Sequence, residues 1–486
     1  MKKSRVLWIA TAFLTVCVML VTGCSTDKSA VKLDSSNPVS LEVWHYYNGP
    51  QKIAFDDMVS EFNETICQEK GIVVEAFNQG SVSDLLTKVS DAANKKVGAD
   101  DIPDIFAAYA DTAYELDQLG VVADLDPYFT QEELEQYVPS YIEEGRFDQS
   151  NSLKIFPTAK STEVMMLNKT DWDKFAEATG ATYEDISTIE GITETARKYY
   201  EWTDSLTPEA DDGKTFFGRD VMANYLISGM KQQGITLFDV SSDGKVTFNL
   251  DENALRKLWD NYYIPYINGY FGAFGKFRSD DAKTGDLIAL VCSTTGATYF
   301  PSEVTINDTE SYPIEGVVLE NPCFEGAERY SIQQGAGMVV TKSDEKTEYA
   351  AAEFLKWFTD TQRNIDFSVT SGYLPVKNEA NDTALVEKSF ENSAEISTSL
   401  EESVLVSIGQ VQNDQLYTNK AFKNGFDARN ILEYSLSDKA AADRESVLTA
   451  MAEGTSRSEA VAVYDNDENF SAWVADLKKQ LEETQK

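Results

Sequence analysis

Histidine is almost missing from this chain of 486 residues: His45, in the stretch "LEVWHYYNG", is the only one. Cysteine is scarce as well, with five in all, Cys17, Cys24, Cys67, Cys292 and Cys323, and no C-x-x-C pair among them. One imidazole and no thiol cluster leave little from which to build a zinc site or a Ser-His-Asp triad. No cofactor is called for. Positive charge is also in short supply: 42 Lys and Arg stand against 81 Asp and Glu, a net charge of −39. Such a surface repels phosphate backbones and argues against nucleic acid as a partner, and its plain role is solubility. What the chain does have is the make-up of a soluble globular protein, 42% apolar and 11% aromatic, at a length that suits two or three domains with full cores.

The first 23 residues are a separate object. Lys2, Lys3 and Arg5 precede an apolar run from Val6 to Val21, and Thr22-Gly23-Cys24 follows. A basic start, an apolar middle and small residues at the boundary make a secretory signal. A plain transmembrane anchor is the alternative, since the run approaches spanning length. The cysteine directly after Val-Thr-Gly resembles the lipobox of bacterial lipoproteins, which implies cleavage before Cys24 and a lipid on its thiol. Residues 24–38, small, polar and interrupted by Pro38, read as a flexible tether. Cys292 and Cys323 are close enough in sequence to form a bridge, but an inert buried thiol is the simpler fate of each mature cysteine.

Beyond the tether, strand and helix alternate. A strand from Leu41 to Tyr47 is followed by a helix with Phe55, Met58, Val59, Phe62 and Ile66 at helical spacing. "IVVEAF" from Ile72 is a second strand, a helix bearing Leu85, Leu86, Val89 and Ala92 comes next, and "PDIFAAYA" from Pro103 is a third strand. This order predicts an α/β protein with mainly parallel sheets flanked by helices. After Pro375 the chain reads largely as helix.

Five landmarks, in this order, carry a resemblance: "VWHYYNG", "LNKTDWDKF", "TGDLIALVCSTTG", "GAGMVVTKSDEKTEYAAAEFLKWF" and "SGYLPV". From about Leu41 to its end the chain resembles the extracellular solute-binding proteins of bacterial ABC importers, in the class that takes up carbohydrates and glycerol 3-phosphate. The resemblance implies a two-lobed periplasmic-binding-protein fold (type II, Venus-flytrap) with the ligand between the lobes. On it, residues 39–155 and 284–337 form the first lobe, and 156–283 and 338–486 the second. It further implies an extracytoplasmic, lipid-anchored monomer that is not an enzyme. Its partners are a small-molecule carbohydrate, the transmembrane subunits of an ABC permease and, through the lipid, the membrane.

A sugar shows apolar CH faces and hydroxyl edges, so it calls for flat aromatics beside carboxylate, amide or hydroxyl partners. Trp44 and Tyr46 share one face of the first strand, with Trp44 either a stacking platform or part of the core; His45 and Tyr47 point the other way, and His45 reads as structural. Tyr109 and Asp111 close the third strand. Asp111 stands in for a family carboxylate whose place is taken by Ala110, and Val82 falls where the glycerol 3-phosphate binder has a tyrosine, so the ligand has changed. Ser293 and Thr294 end a buried strand and are open to two uses, holding a ligand or capping a helix. The resemblance implies ligand contacts for Gly335 and, in the Gly-Tyr-Leu-Pro turn, Tyr373. Lys160, Ser161 and Arg429 are the candidates for an anionic ligand, Arg429 having internal pairing with an acid as its alternative. A carbohydrate-active enzyme with two carboxylates is the competing class, but among 81 acids such a pair has no specificity.

Overall fold

The computed structural model describes residues 31–393 and 396–486. The expected signal and Cys24 lie outside these residues. The end of the expected tether is seated on the body, because Leu33 packs at the edge of the first core and Asn37 closes a turn on Asp34.

The chain enters the first lobe through β1 (Val39–His45), α1 (Gly49–Lys70), β2 (Ile72–Asn78), α2 (Val82–Ala93), β3 (Ile105–Ala108) and α3 (Ala110–Gln118). Local chemistry sets these boundaries. Pro50 occupies the first turn of α1, and Gly71 ends it in the left-handed region at φ 71°. Ser81 and Asp84 exchange hydrogen bonds across the first turn of α2, a capping box. β1 runs parallel to β2, Val39 beside Ile72, and parallel to β3, Val43 beside Ile105.

After crossing at 157–162 the chain builds a second sheet from β4 (Glu163–Asn168), β5 (Phe217–Arg219), β6 (Ala289–Ser293) and β7 (Gly316–Glu320), with α4 (Met222–Gln232) following β5. It then returns to the first lobe as β8 (Gly337–Val340), α5 (Glu345–Phe358) and α6 (Thr361–Ser371). The final stretch, α7 (Thr398–Asn413), α8 (Gly425–Ala452) and α9 (Asp467–Thr484), packs on the second lobe. The sheet orders are β8-β3-β1-β2 and β7-β4-β6-β5.

Two expectations need correction. Residues 284–337 do not complete the first lobe: β6 pairs with β4 and β5, and β7 with β4. Conversely, β8, α5 and α6 belong to the first, where Phe354 and Phe358 meet Phe62 and Phe55 at ring separations of 5.1 and 5.6 Å. The second sheet is also mostly antiparallel, with β5 and β6 its parallel pair. β4 arrives from the hinge, so it runs against the strands that end there.

Three segments pass between the lobes side by side. Ser161 and Gln334 exchange backbone hydrogen bonds at 3.0 and 2.9 Å, and Lys160 pairs with Leu374. A small apolar cluster of Leu374, Leu400, Val404 and Ile408 covers this crossing.

Candidate functional site: the cleft between the lobes

The carboxyl ends of β1 and β3 in one lobe, and of β5 and β6 in the other, all reach the crossing, where parallel strands leave room for a ligand. Tyr46 follows β1, Tyr109 precedes α3, and Tyr373 follows Gly372, whose φ of 76° ends α6. The Tyr46 and Tyr373 hydroxyls lie 3.5 Å apart, and the Ala336 N–H donates to the Tyr46 hydroxyl at 3.4 Å. Burial holds the Tyr46 and Tyr373 phenols above their ordinary range, and Tyr109 is pushed up first by the neighbouring Tyr46. The three are therefore neutral groups that both donate and accept. Tyr109 is 39% exposed and gives the cluster its open side. Behind it, Val82, Leu86, Phe106 and Ala336 line a narrow pocket.

Trp44 is not part of this surface. It is 2% exposed, with its indole N–H donating to Glu42. The Trp44 face of β1 is open at Ser40 and Glu42 but closes over Trp44 itself, which packs in the first core while Tyr46 lies beyond the strand end. His45 is buried against Tyr47 and Phe55, and its Nδ1 accepts the Tyr47 N–H at 3.1 Å. Desolvation pushes its pKa down to about 4, which keeps the ring neutral. Tyr373 carries a second surprise. Its ring is 5% exposed and stacks on Phe367, so only its edge and hydroxyl serve the cleft.

The basic candidates are all engaged internally. Lys160, buried in the crossing, reaches Glu144 at 2.6 Å and the Gly335 carbonyl at 2.8 Å. Ser161 is 5% exposed and spends its backbone on Gln334. Arg429 donates to the Asn224 side chain rather than pairing with an acid. At Gly335 a Cβ would come within 2.9 Å of the Ala159 carbonyl, so this glycine lets two crossing strands approach each other. Thr294 is fully buried, and Ser293 precedes a 3-10 turn without capping it by its side chain, so the capping alternative is not realised. Its hydroxyl meets that of Thr295 at 3.1 Å. Asp111 turns across the seam toward Gly425 instead of lying beside the tyrosines.

The structure adds groups that the sequence did not reveal. At the start of β4, buried Glu163 receives Asn224 at 2.9 Å and Arg219 at 3.3 Å, while Gln410 donates to its carbonyl at 3.0 Å. Desolvation raises the Glu163 carboxyl against the pull of Arg219. Past the end of β5, Phe274 and Phe277 are 61% and 51% exposed. Their loop is held by Asp281, which accepts the Phe274 and Gly275 N–H groups at 3.1 and 2.5 Å, and by Arg278, whose N–H donates to Asp220 at 2.8 Å. The glycines of "FGAFGKF" were the available signal, since a tight loop exposes the rings between them.

A family model described as bacterial extracellular solute-binding protein matches residues 57–394. The chain belongs to that family. The match spans most of the body, and membership places this solute-binding protein outside the cytoplasm. Among the described residues no helix is long and apolar enough to cross a membrane. No curated protein matches the sequence. Among solved structures, UgpB from Mycobacterium tuberculosis in complex with glycerophosphocholine superposes with a TM-score of 0.64 at 17% identity, covering 93% of this chain and 100% of that one. The cyclic α-maltosyl-1,6-maltose binding protein of Arthrobacter globiformis gives 0.61 at 19% identity, over 90% and 100%. An ABC substrate-binding protein of Listeria monocytogenes in complex with cycloalternan gives 0.63 at 16%, over 92% and 99%. These likenesses confirm the two-lobed fold.

Proposed function

We propose that this solute-binding protein captures an extracellular carbohydrate in its interlobe cleft, closes on it about the three-segment hinge, and delivers it to the permease of an ABC importer. One observation carries the reading: neutral tyrosine hydroxyls converge at the crossing while Lys160, Arg219, Arg278 and Arg429 are each engaged by protein groups. Such a surface suits an uncharged polyol better than a phosphate, which would need a cation free to meet it. Phe274 and Phe277 offer apolar faces on the second lobe for the CH side of a sugar. The Arthrobacter neighbour, named for binding cyclic α-maltosyl-1,6-maltose, and the Listeria neighbour, in complex with cycloalternan, support this choice. No covalent step is needed, since closure requires only that the ligand touch both lobes better closed than open. The lipobox-like "VTGC" supports anchoring through Cys24 at the outer face of the cell membrane.

The test is a thermal-shift screen of the body against mono- and oligosaccharides, polyols and glycerol phosphodiesters. A ligand at 100 times its Kd stabilises by about 2.7 kcal/mol. A shift with sugars is expected. Shifts confined to the phosphodiesters would transfer the site to the glycerophosphocholine class, and sugar turnover would make the protein an enzyme.

A further inference from the structure

The contact between α3 of the first lobe and the start of α8 in the second has an unusual composition. Asp111 reaches across the seam so closely that a Cβ on Gly425 would come within 2.4 Å of its Oδ1. The carboxyl accepts the Phe422 N–H, yet Oδ1 is buried without a partner. One turn along α3, Glu115 faces Asp427 of α8. Glu144, from the short Pro139–Glu144 helix, adds a third acid near Asp111, but Lys160 and Gln333 occupy it. Among the described residues Arg429 is the cation acting on Asp111, and it donates to Asn224. Asn224 in turn holds Glu163, which directly follows the hinge residues.

We propose that Asp111 is a proton-dependent latch between the lobes, so that closure tightens as the medium becomes more acidic. When the lobes part, water solvates the carboxyl and it titrates in the ordinary range around 4. In the closed form burial pushes it up to about 7, with Arg429 opposing and Glu115 and Glu144 reinforcing. Between those two values the closed form holds a proton that the open form has released. Closure is therefore favoured as pH falls from about 7 toward 4, and above about 8 a bare carboxylate must be buried at full cost. Glu115, raised by burial and by Asp427 across the seam, contributes with the same sign.

The proposal rests on the hinge-closing reading but not on the identity of the ligand, so it is tested without one. Small-angle scattering and hydrogen-exchange protection of the Phe422 amide are measured on the purified protein from pH 5 to 8.5. The ratio of closed to open molecules is expected to fall by up to tenfold per pH unit between about 5.5 and 7, then to level off. Asp111→Asn keeps the shape, removes the charge and should hold the closed form with a much shallower profile, the remainder coming from Glu115. A flat wild-type profile, no protection at Phe422, or an unchanged slope in Asp111→Asn would overturn the latch. Sugar binding on a flat profile removes only the latch. Silence of the whole sugar panel with the slope intact removes only the carbohydrate reading.

Discussion

Replacing Lys160 by methionine separates a structural from a ligand-binding role for the cation at the crossing. The side chains of Lys160 and Glu144 are 2% and 9% exposed, and the ammonium also satisfies the Gly335 carbonyl. Methionine keeps most of the apolar stem but leaves Glu144 with Gln333 as its remaining side-chain donor and the Gly335 carbonyl without its partner. Breaking a buried pair from one side costs about 3–5 kcal/mol, because the remaining charge stays desolvated. At about 2–4 °C per kcal/mol for a lobe-sized unit, the melting temperature should drop by roughly 6–20 °C. Urea unfolding followed by circular dichroism gives the free energy directly. The double variant Lys160→Met/Glu144→Leu should recover most of the loss, since apolar replacements remove the stranded charge. A single-variant cost below about 1 kcal/mol, combined with a selective loss of binding to anionic ligands, would refute the reasoning and return Lys160 to the ligand.

Tyr373→Phe removes the hydroxyl that meets Tyr46 and keeps the ring on Phe367, so sugar affinity should fall about 5–30-fold with stability changed by under about 1 kcal/mol. Unchanged affinity by calorimetry would take Tyr373 out of the site; the alanine variant is unsuitable because it also empties a buried position. His45 is held neutral in the fold while the unfolded chain protonates near 6.5, so the fold loses stability as pH falls from about 6.5 toward 4 and is unaffected above that window. The loss should reach about 2–3 kcal/mol and vanish in His45→Gln, as read by urea midpoints across pH; equal slopes in both proteins would contradict it.

The first lobe's opening elements were legible because their signals are local. The 3.6-residue spacing from Phe55 to Phe62 lies within two turns of one helix, the capping pair Ser81 and Asp84 within one turn, and the strands at Ile72 and Ile105 are short apolar runs. The assignment of segments to lobes was not legible. "DLIALVC" declares a buried strand but not its neighbours, and the pairing of Val291 with Met165 spans a long stretch of chain. Trp44 illustrates the limit of period-two alternation, which sorts faces but cannot tell how far along a face the covering begins: Ser40 and Glu42 are exposed and Trp44 is buried. Of the tyrosine cluster at the crossing, Tyr46, Tyr109 and Tyr373 stand at strand and helix ends, positions that local motifs mark. The Glu163 network was not, since Arg219, Asn224 and Gln410 meet it only through tertiary packing. The same non-local packing gives Lys160, Asp111 and Arg429 partners within the hinge and seam that their sequence neighbourhoods do not announce.

The return of the chain to its first lobe has a consequence for the order of assembly. β3 lacks one neighbour until β8 arrives, and the core around Phe55 and Phe62 stays open until Phe354, Phe358 and Val376 are in place. As the chain emerges from its amino end, the lobe that begins first therefore cannot finish until nearly all of the second lobe's sheet has been made. Long-range pairings of this kind delay folding and keep apolar strands uncovered. Until β8 arrives, the uncovered edge of β3 and the apolar rings of Phe55 and Phe62 are what a holdase or a protease would meet on the incomplete chain. Its topology thus ties the completion of the first lobe to that of most of the chain.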